Sequence, residues 1–433
     1  MVLACDGKGV VLVTKPGRVR EECVMFGKVS SSWLAWLLVV LCSAAWACKS
    51  KEAPSAEASS AAAPASEAKA GIRIGVLAPL SGPFAATGSQ IDAGIKAWLE
   101  QHGDTVAGKK IEVLLKDTTG TPDVAKRLAQ GLLVRDQVDF LTGFVLTPVA
   151  MAVAPIATEA KKPMVIMNAA TSSITTKSPY VVRVSLTLPQ VTAPLATWAA
   201  KNGIRSVYTL VSDYAPGVDA ETQFKKTFEA AGGKIAGEVR VPMQNPDFAP
   251  YLQRIKDQKP EAVFVFVPAG QQGIGFMKAF QERGLAEAGI RVIATGDVTE
   301  DHQLPAMGDA ALGVVTTHHY SAAHDSPENT AFKAAFAKVT GGAMRPNFMA
   351  VGAYDGMAAI AAVCEKLGGN LDGDRAMEAF KGLALQSPRG PIRIDPETRD
   401  VIQTVYVRKG ERREDGVYNV EFESFPDQKD PGK

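Results

Sequence analysis

Beyond residue 48 the chain carries a single cysteine, Cys364, while Cys5, Cys23, Cys42 and Cys48 crowd the start of the 433 residues. The folded body therefore has no internal disulfide, and a core of ordinary size must hold it together. Charge of one sign is lacking as well, since Lys+Arg 47 against Asp+Glu 46 leaves a net +1. Nothing in that balance draws the protein to nucleic acid or to an acidic membrane surface. The one marked apolar run, Trp33 to Cys42, falls well short of the ~20 residues that span a bilayer. With 46% hydrophobic and 21% charged residues, the composition excludes both a disordered chain and a multi-span membrane protein. At roughly 100–200 residues per domain, two to four domains are expected.

Catalytic signatures are missing too. Gly103 to Lys110 approaches a phosphate-binding loop, but Lys110 stands where the loop needs Ser or Thr, and the segment precedes a strand instead of following one. Gly273-Ile274-Gly275 lacks the third glycine of a dinucleotide fingerprint, and no nucleophile elbow or metal-protease motif occurs. His318, His319 and His324 with Asp325 match no common zinc spacing, and adjacent strand residues point to opposite faces, so they read as surface or hinge histidines. Neither enzyme activity, nor a cofactor, nor a metal is expected.

The N-terminus indicates export. Trp33 to Cys42 has the length of a secretory apolar region, and a start at Met25 gives it a short head with one positive charge, Lys28. Residues 1–24 then read as an over-extended start and 25–47 as the signal peptide. Ser43-Ala44-Ala45-Trp46-Ala47-Cys48 offers small residues for signal peptidase and also places Cys48 as a candidate lipid anchor. Residues 53–70 hold nine Ala, four Ser and two Pro, a composition too poor in apolar surface to order itself. Residues 48–70 thus read as a tether, which suits a lipoprotein; plain secretion is the alternative.

From Gly71 onward, short apolar runs alternate with helix-period segments. Ile72–Ala78, Lys110–Lys116, Val138–Leu141, Pro163–Met167, Ser206–Val211, Ala262–Val267 and Arg291–Thr295 read as strands buried on both faces. Gln90–Gln101 reads as a helix, and Thr121-Pro122-Asp123 opens another with a capping hydroxyl. Right-handed crossovers give doubly wound parallel α/β layers, too many for one open sheet, so two lobes are expected. After Tyr320 the order changes to helices (Asn329–Val339, Asn347–Leu367, Asp374–Lys381) and then strands (Ile392–Ile394, Val401–Arg408, Val417–Phe422), as if the chain returned to complete both lobes.

The segment Ile72 to Gly88, IRIGVLAPLSGPFAATG, resembles the opening strand and loop of the branched-chain amino-acid-binding protein family, the extracytoplasmic solute receptors of ABC importers. Lys116-Asp117 with Thr121-Pro122, Gly143–Pro155, Asn168 to Thr171, Tyr180–Arg183, Asp213-Tyr214, Asp247-Phe248, Lys259–Val267 and Gly352–Asp355 extend the resemblance over residues 71–425. It implies a type I periplasmic-binding fold, two lobes joined by a three-crossing hinge. Mapped by pattern, lobe 1 takes 71–186 plus 318–392, lobe 2 takes 187–317 plus 393–425, and 426–433 is a tail. It also implies a monomer that closes on a small carboxylate-bearing ligand and presents it to an inner-membrane permease; a sensory or regulatory relative of the same fold is the alternative.

The residues supply a matching chemistry. Thr147-Pro148 begins a helix after a strand, so backbone N–H groups and the Thr147 hydroxyl meet at the sheet's carboxyl edge, where a carboxylate fits. Asn168, Ala170 and Thr171 follow the next strand at the same edge. A plain helix cap is the other reading of Thr147, and a loop cap that of Thr171. By resemblance Tyr214 closes over the ligand, Asp297 partners a ligand ammonium or else caps a helix, and Thr87 of the opening loop adds a contact. Leu146 stands where amino-acid receptors of the family often have a second hydroxyl, and a disulfide of some members is absent. An apolar or aromatic acid suits that leucine better than a generic amino acid.

Overall fold

The computed structural model describes residues 5–6, 9–10 and 71–433. Cys5–Asp6 and Gly9–Val10 pair as a short antiparallel ladder; the expected signal peptide, Cys48 and the expected tether lie outside the described residues. In the body, the apolar run Gly71–Ala78 is buried along almost its whole length and sits inside a six-stranded sheet. Its order is Thr105–Val106, Lys109–Asp117, Gly71–Ala78, Phe140–Gly143, Met164–Ile166, Val181–Arg183. All pairings are parallel except the short Thr105–Val106 edge. Parallel strands need crossover connections, and helices Ala85–His102, Pro122–Val134 and Thr147–Glu159 provide them.

Helix Phe348–Lys366 packs on Ala85–His102 so closely that a Cβ at Gly94 would lie 2.2 Å from the Ala350 carbonyl oxygen. By length and composition that helix could cross a membrane, yet 83% of its apolar window is buried, which makes it a core helix here.

The second sheet has nine strands. Lys234–Val241, Ser206–Ser212, Ala262–Phe266, Arg291–Thr295 and Val315–His318 are parallel, and Val401–Arg413 joins antiparallel beside Val315–His318. Gly390–Ile394, Ala384–Ser387 and Gly416–Gln428 complete it. The chain passes between the two cores three times: between Val184 and Leu186, between Val315 and Tyr320, and between Ile394 and Val405. Two doubly wound lobes with a three-strand hinge result.

Four expectations need correction. Lys234–Val241 was not anticipated as a strand because it lies at the sheet edge with a mostly exposed or half-buried face, and so lacks an apolar run. Helix Ala85–His102 begins five residues before the expected Gln90. Thr121 occupies the cap position of Pro122–Val134 but caps nothing; its hydroxyl accepts instead from Thr119 Oγ1 at 3.0 Å. At the far end the last strand runs on to Gln428, and Lys429 and Lys433 pair with Asp395 and Asp400.

Candidate functional site

In open parallel sheets the carboxyl ends of the strands are where ligands bind. The first sheet turns sharply there. Gly143 has φ +99°, and a Cβ on it would lie 2.5 Å from the Leu77 carbonyl oxygen. Phe144, at φ +60°, is in a region that costs a bulky residue on the order of 1–3 kcal/mol. The turn is held because Phe144 N–H donates to Leu77 O and Phe144 O accepts from Ala169 N–H, both at 2.9 Å. It thereby binds the loop before Thr147 to the loop before Thr171.

Thr147 and Thr171 meet. Both are buried, and Thr147 Oγ1 donates to Thr171 Oγ1 at 3.3 Å. Leu146, not Thr147, holds the cap position of helix Thr147–Glu159, and no side chain caps that helix, so the capping reading of Thr147 fails. Thr171 precedes the 3-10 turn Ser172–Lys177, again without a side-chain cap. Next to Thr147 in sequence, buried Leu146 shares an apolar patch with Phe84: a Cβ at Gly120 would come within 3.3 Å of the Leu146 Cδ1 and 3.4 Å of the Phe84 ring. Asn168 Nδ2 donates to Val145 O at 2.9 Å, while Asn168 Oδ1 is buried without a partner. Ala170 is buried in the second lobe's core cluster, on which the Tyr214 ring also packs. Thr87 is not brought to this group by its hydroxyl, which donates to Phe84 O at 2.6 Å in its own helical turn.

A residue whose role sequence reasoning missed positions the loop. Arg183 is wholly buried; its Nη1 donates to Ala169 O at 2.9 Å and Thr171 O at 2.8 Å, and its Nε pairs with Asp400 at 2.7 Å. Its partner lies on a distant segment, so no local signal existed.

On the second lobe, half-buried Tyr214 follows Ser206–Ser212 and stacks on Phe266, centroids 6.0 Å apart. Burial, with the Asp297 carboxylate nearby, pushes its hydroxyl well above the usual tyrosine range. Asp297 starts no helix, which removes its capping reading; its Oδ2 accepts from Thr295 Oγ1 at 2.9 Å and lies 3.7 Å from His318 Nε2. That separation is within ion-pair range but too long for a hydrogen bond.

Of the surface and hinge readings of the histidines, the hinge reading holds for His318 and His319. His318 and His319 are fully buried at the crossing between lobes, not on the surface. Their rings are 4.5 Å apart instead of on opposite faces, because the strand ends at His318. Burial, opposed by Asp297 and aided by the cations Arg408 and Arg389, lowers His318 to about 4. His324 pairs with Glu421 at 2.7 Å. Among the described residues no group of His, Cys, Asp and Glu could hold a metal.

The lobes touch across this edge. Ser172 N–H donates to Asp219 Oδ2 at 3.0 Å, Asn347 Nδ2 donates to Glu300 Oε2 at 2.7 Å, and Ala269 of the second lobe is buried in the first lobe's core. Asn168 Oδ1, Ser212 Oγ, Gln272 Oε1 and both ring nitrogens of His318 are buried without partners among the described residues. Ser212 and His318 end parallel strands, Asn168 lies just past one, and Gln272 opens the helix after another. Native proteins satisfy the large majority of such atoms, so unpartnered polar groups at the strand ends of both sheets are where a polar ligand would find partners.

Comparison with known proteins identifies the family and the fold. The family described as periplasmic binding protein matches residues 71–416. A Leu/Ile/Val-binding protein homolog 6 from Brucella melitensis is 47% identical over 363 residues, 83% of this chain and 93% of that protein. Among solved structures, a solute binding protein of an ABC transporter from Rhodopseudomonas palustris BisB5, in complex with 3,4-dihydroxy benzoic acid, is 55% identical with a TM-score of 0.82, covering 84% of this chain and 99% of the other. Another, from Rhodopseudomonas palustris HaA2 in complex with p-hydroxybenzoic acid, is 46% identical with a TM-score of 0.82, over 83% and 98%.

Proposed function

The chain belongs to the periplasmic binding protein family, and from that premise we propose that it captures an aromatic carboxylic acid of the hydroxybenzoate class and hands it to an ABC permease. Coarsely stated, it is an extracytoplasmic solute-binding protein of the ABC-transporter class and not an enzyme. The observation that carries the finer reading is the pairing of Thr147 and Thr171 together with the Leu146–Phe84 patch: two hydroxyls for a carboxylate, and apolar surface where an aromatic ring can lie. The hydroxybenzoates bound by the two related structures support the same class.

In this reading residues 71–186 with 318–392 close against 187–317 with 393–425, and the receptor acts as a monomer, anchored through Cys48. Ligand shifts the open–closed equilibrium only by its differential affinity for the closed form.

A second reading, a branched-chain amino acid, is favoured by the name of the Brucella relative and by the carboxylate of Asp297, which could take an ammonium. Isothermal calorimetry with p-hydroxybenzoate, benzoate and L-leucine separates the two. Tight binding of the aromatic acids, with a smaller radius of gyration in small-angle scattering at saturation, is expected. Binding of leucine alone overturns the aromatic reading.

A further inference from the structure

We infer that Asp297 and His318 form a hydroxyl-reading subsite that makes the receptor select ring-hydroxylated aromatic acids; this rests on the aromatic-acid reading above. His318 ends strand Val315–His318, is wholly buried, and has no hydrogen-bond partner for either ring nitrogen among the described residues. Asp297, on the neighbouring strand's carboxyl-end turn, lies 3.7 Å from His318 Nε2 and has only one of its oxygens, Oδ2, engaged by a side chain, that of Thr295. The pair is fixed in place. A Cβ at Gly296 would lie 2.7 Å from His318 Cβ, and the Phe348 ring of the first lobe lies 4.2 Å, centroid to centroid, from the imidazole.

The chemistry of the pair selects its ligand. A neutral imidazole with its hydrogen on Nε2 donates, and the carboxylate accepts, so the two together need one group that does both. A hydroxyl does both. An ammonium only donates, and it would enter a surrounding that already holds the buried guanidinium of Arg408, whose Nη2 would lie 2.0 Å from a Cβ at Gly296. An unsubstituted ring leaves both groups dry and unmet. Burial among Arg408, Arg389 and Phe348 keeps His318 uncharged at neutral pH, in accord with a donor–acceptor role and not an ionic one.

The test compares affinities of the full protein by calorimetry. The wild type should bind p-hydroxybenzoate about tenfold or more tighter than benzoate, and tighter by a similar factor than p-methoxybenzoate, which accepts but cannot donate. In Asp297→Asn and His318→Phe the ratio of p-hydroxybenzoate to benzoate affinity should collapse toward one. Equal wild-type affinity for all three acids overturns the subsite while leaving the aromatic-acid reading intact, as does a variant that folds and keeps the wild-type ratio. Binding of leucine with no aromatic acid bound overturns both. Since the wild-type series needs no mutant, failure of a variant to fold does not shelter the proposal.

Discussion

Arg183 and Asp400, 217 positions apart, meet in a buried ion pair with Nε 2.7 Å from Oδ1, directly behind the loop that carries Thr171. The same guanidinium donates to the carbonyls of Ala169 and Thr171. Removing one partner of a buried pair strands the other, at a cost of about 3–5 kcal/mol. Asp400→Asn should therefore lower the melting temperature by several degrees and, because the loop loses its brace, weaken ligand binding as well. Calorimetry of unfolding and of binding checks both; a variant with unchanged affinity would separate the brace from the site.

Glu300 gives stability a pH dependence. Burial, with the Asp301 charge adding, raises its carboxyl from an ordinary 4.5 to about 7, against the opposing donors Asn347 Nδ2 and the His302 N–H. The folded state thus holds this proton more tightly than the unfolded chain. Its stabilising contribution is complete below about pH 4.5 and is lost as pH rises through about 7. Glu300→Gln should gain stability relative to wild type as pH rises across that window, by on the order of 3 kcal/mol at pH 8. Thermal unfolding of both proteins at several pH values measures it; parallel curves would show that Glu300 does not titrate there.

Much of the fold was legible because parallel strands buried on both faces write themselves as apolar runs, as Ala262–Phe266 and Arg291–Thr295 do. Edge strand Lys234–Val241 was not, since all but one of its residues are exposed or half-buried and its sequence carries no such run. In the site, Thr147 and Thr171 were readable from their places after successive strands, and they do meet. Arg183 and His318 were noticed in the sequence but their partners were not, for one shared reason. Their roles are set by Asp400 and Asp297, which reach them through tertiary packing with no local spacing to betray it.

Export chemistry has its own test. If Cys48 carries the lipid, Cys48→Ala should move the protein from the membrane fraction to the soluble one while ligand affinity stays unchanged, because the Ala/Ser/Pro-rich stretch that follows has little apolar surface to offer a ligand. Cell fractionation with immunoblotting reads the result, and a mutant that stays in the membrane fraction would refute the anchor.

Thr147 bears most directly on the carboxylate. Its hydroxyl is buried, donates to Thr171 Oγ1 at 3.3 Å, and caps no helix end. A contact that long is weak, and a ligand carboxylate is the better acceptor, since hydrogen bonds to charged groups contribute roughly 1.5–3 kcal/mol against ~1 for neutral pairs. Thr147→Val keeps the side-chain shape and deletes the donor. Affinity for p-hydroxybenzoate should fall about tenfold or more, because ~1.4 kcal/mol is a factor of ten. Unliganded stability should change by no more than about 1 kcal/mol, the worth of the lost threonine pair. The two readouts are independent. Should Thr147→Val bind p-hydroxybenzoate with wild-type affinity, the carboxylate does not lie at the Thr147–Thr171 edge, and the ligand must be oriented by the second lobe.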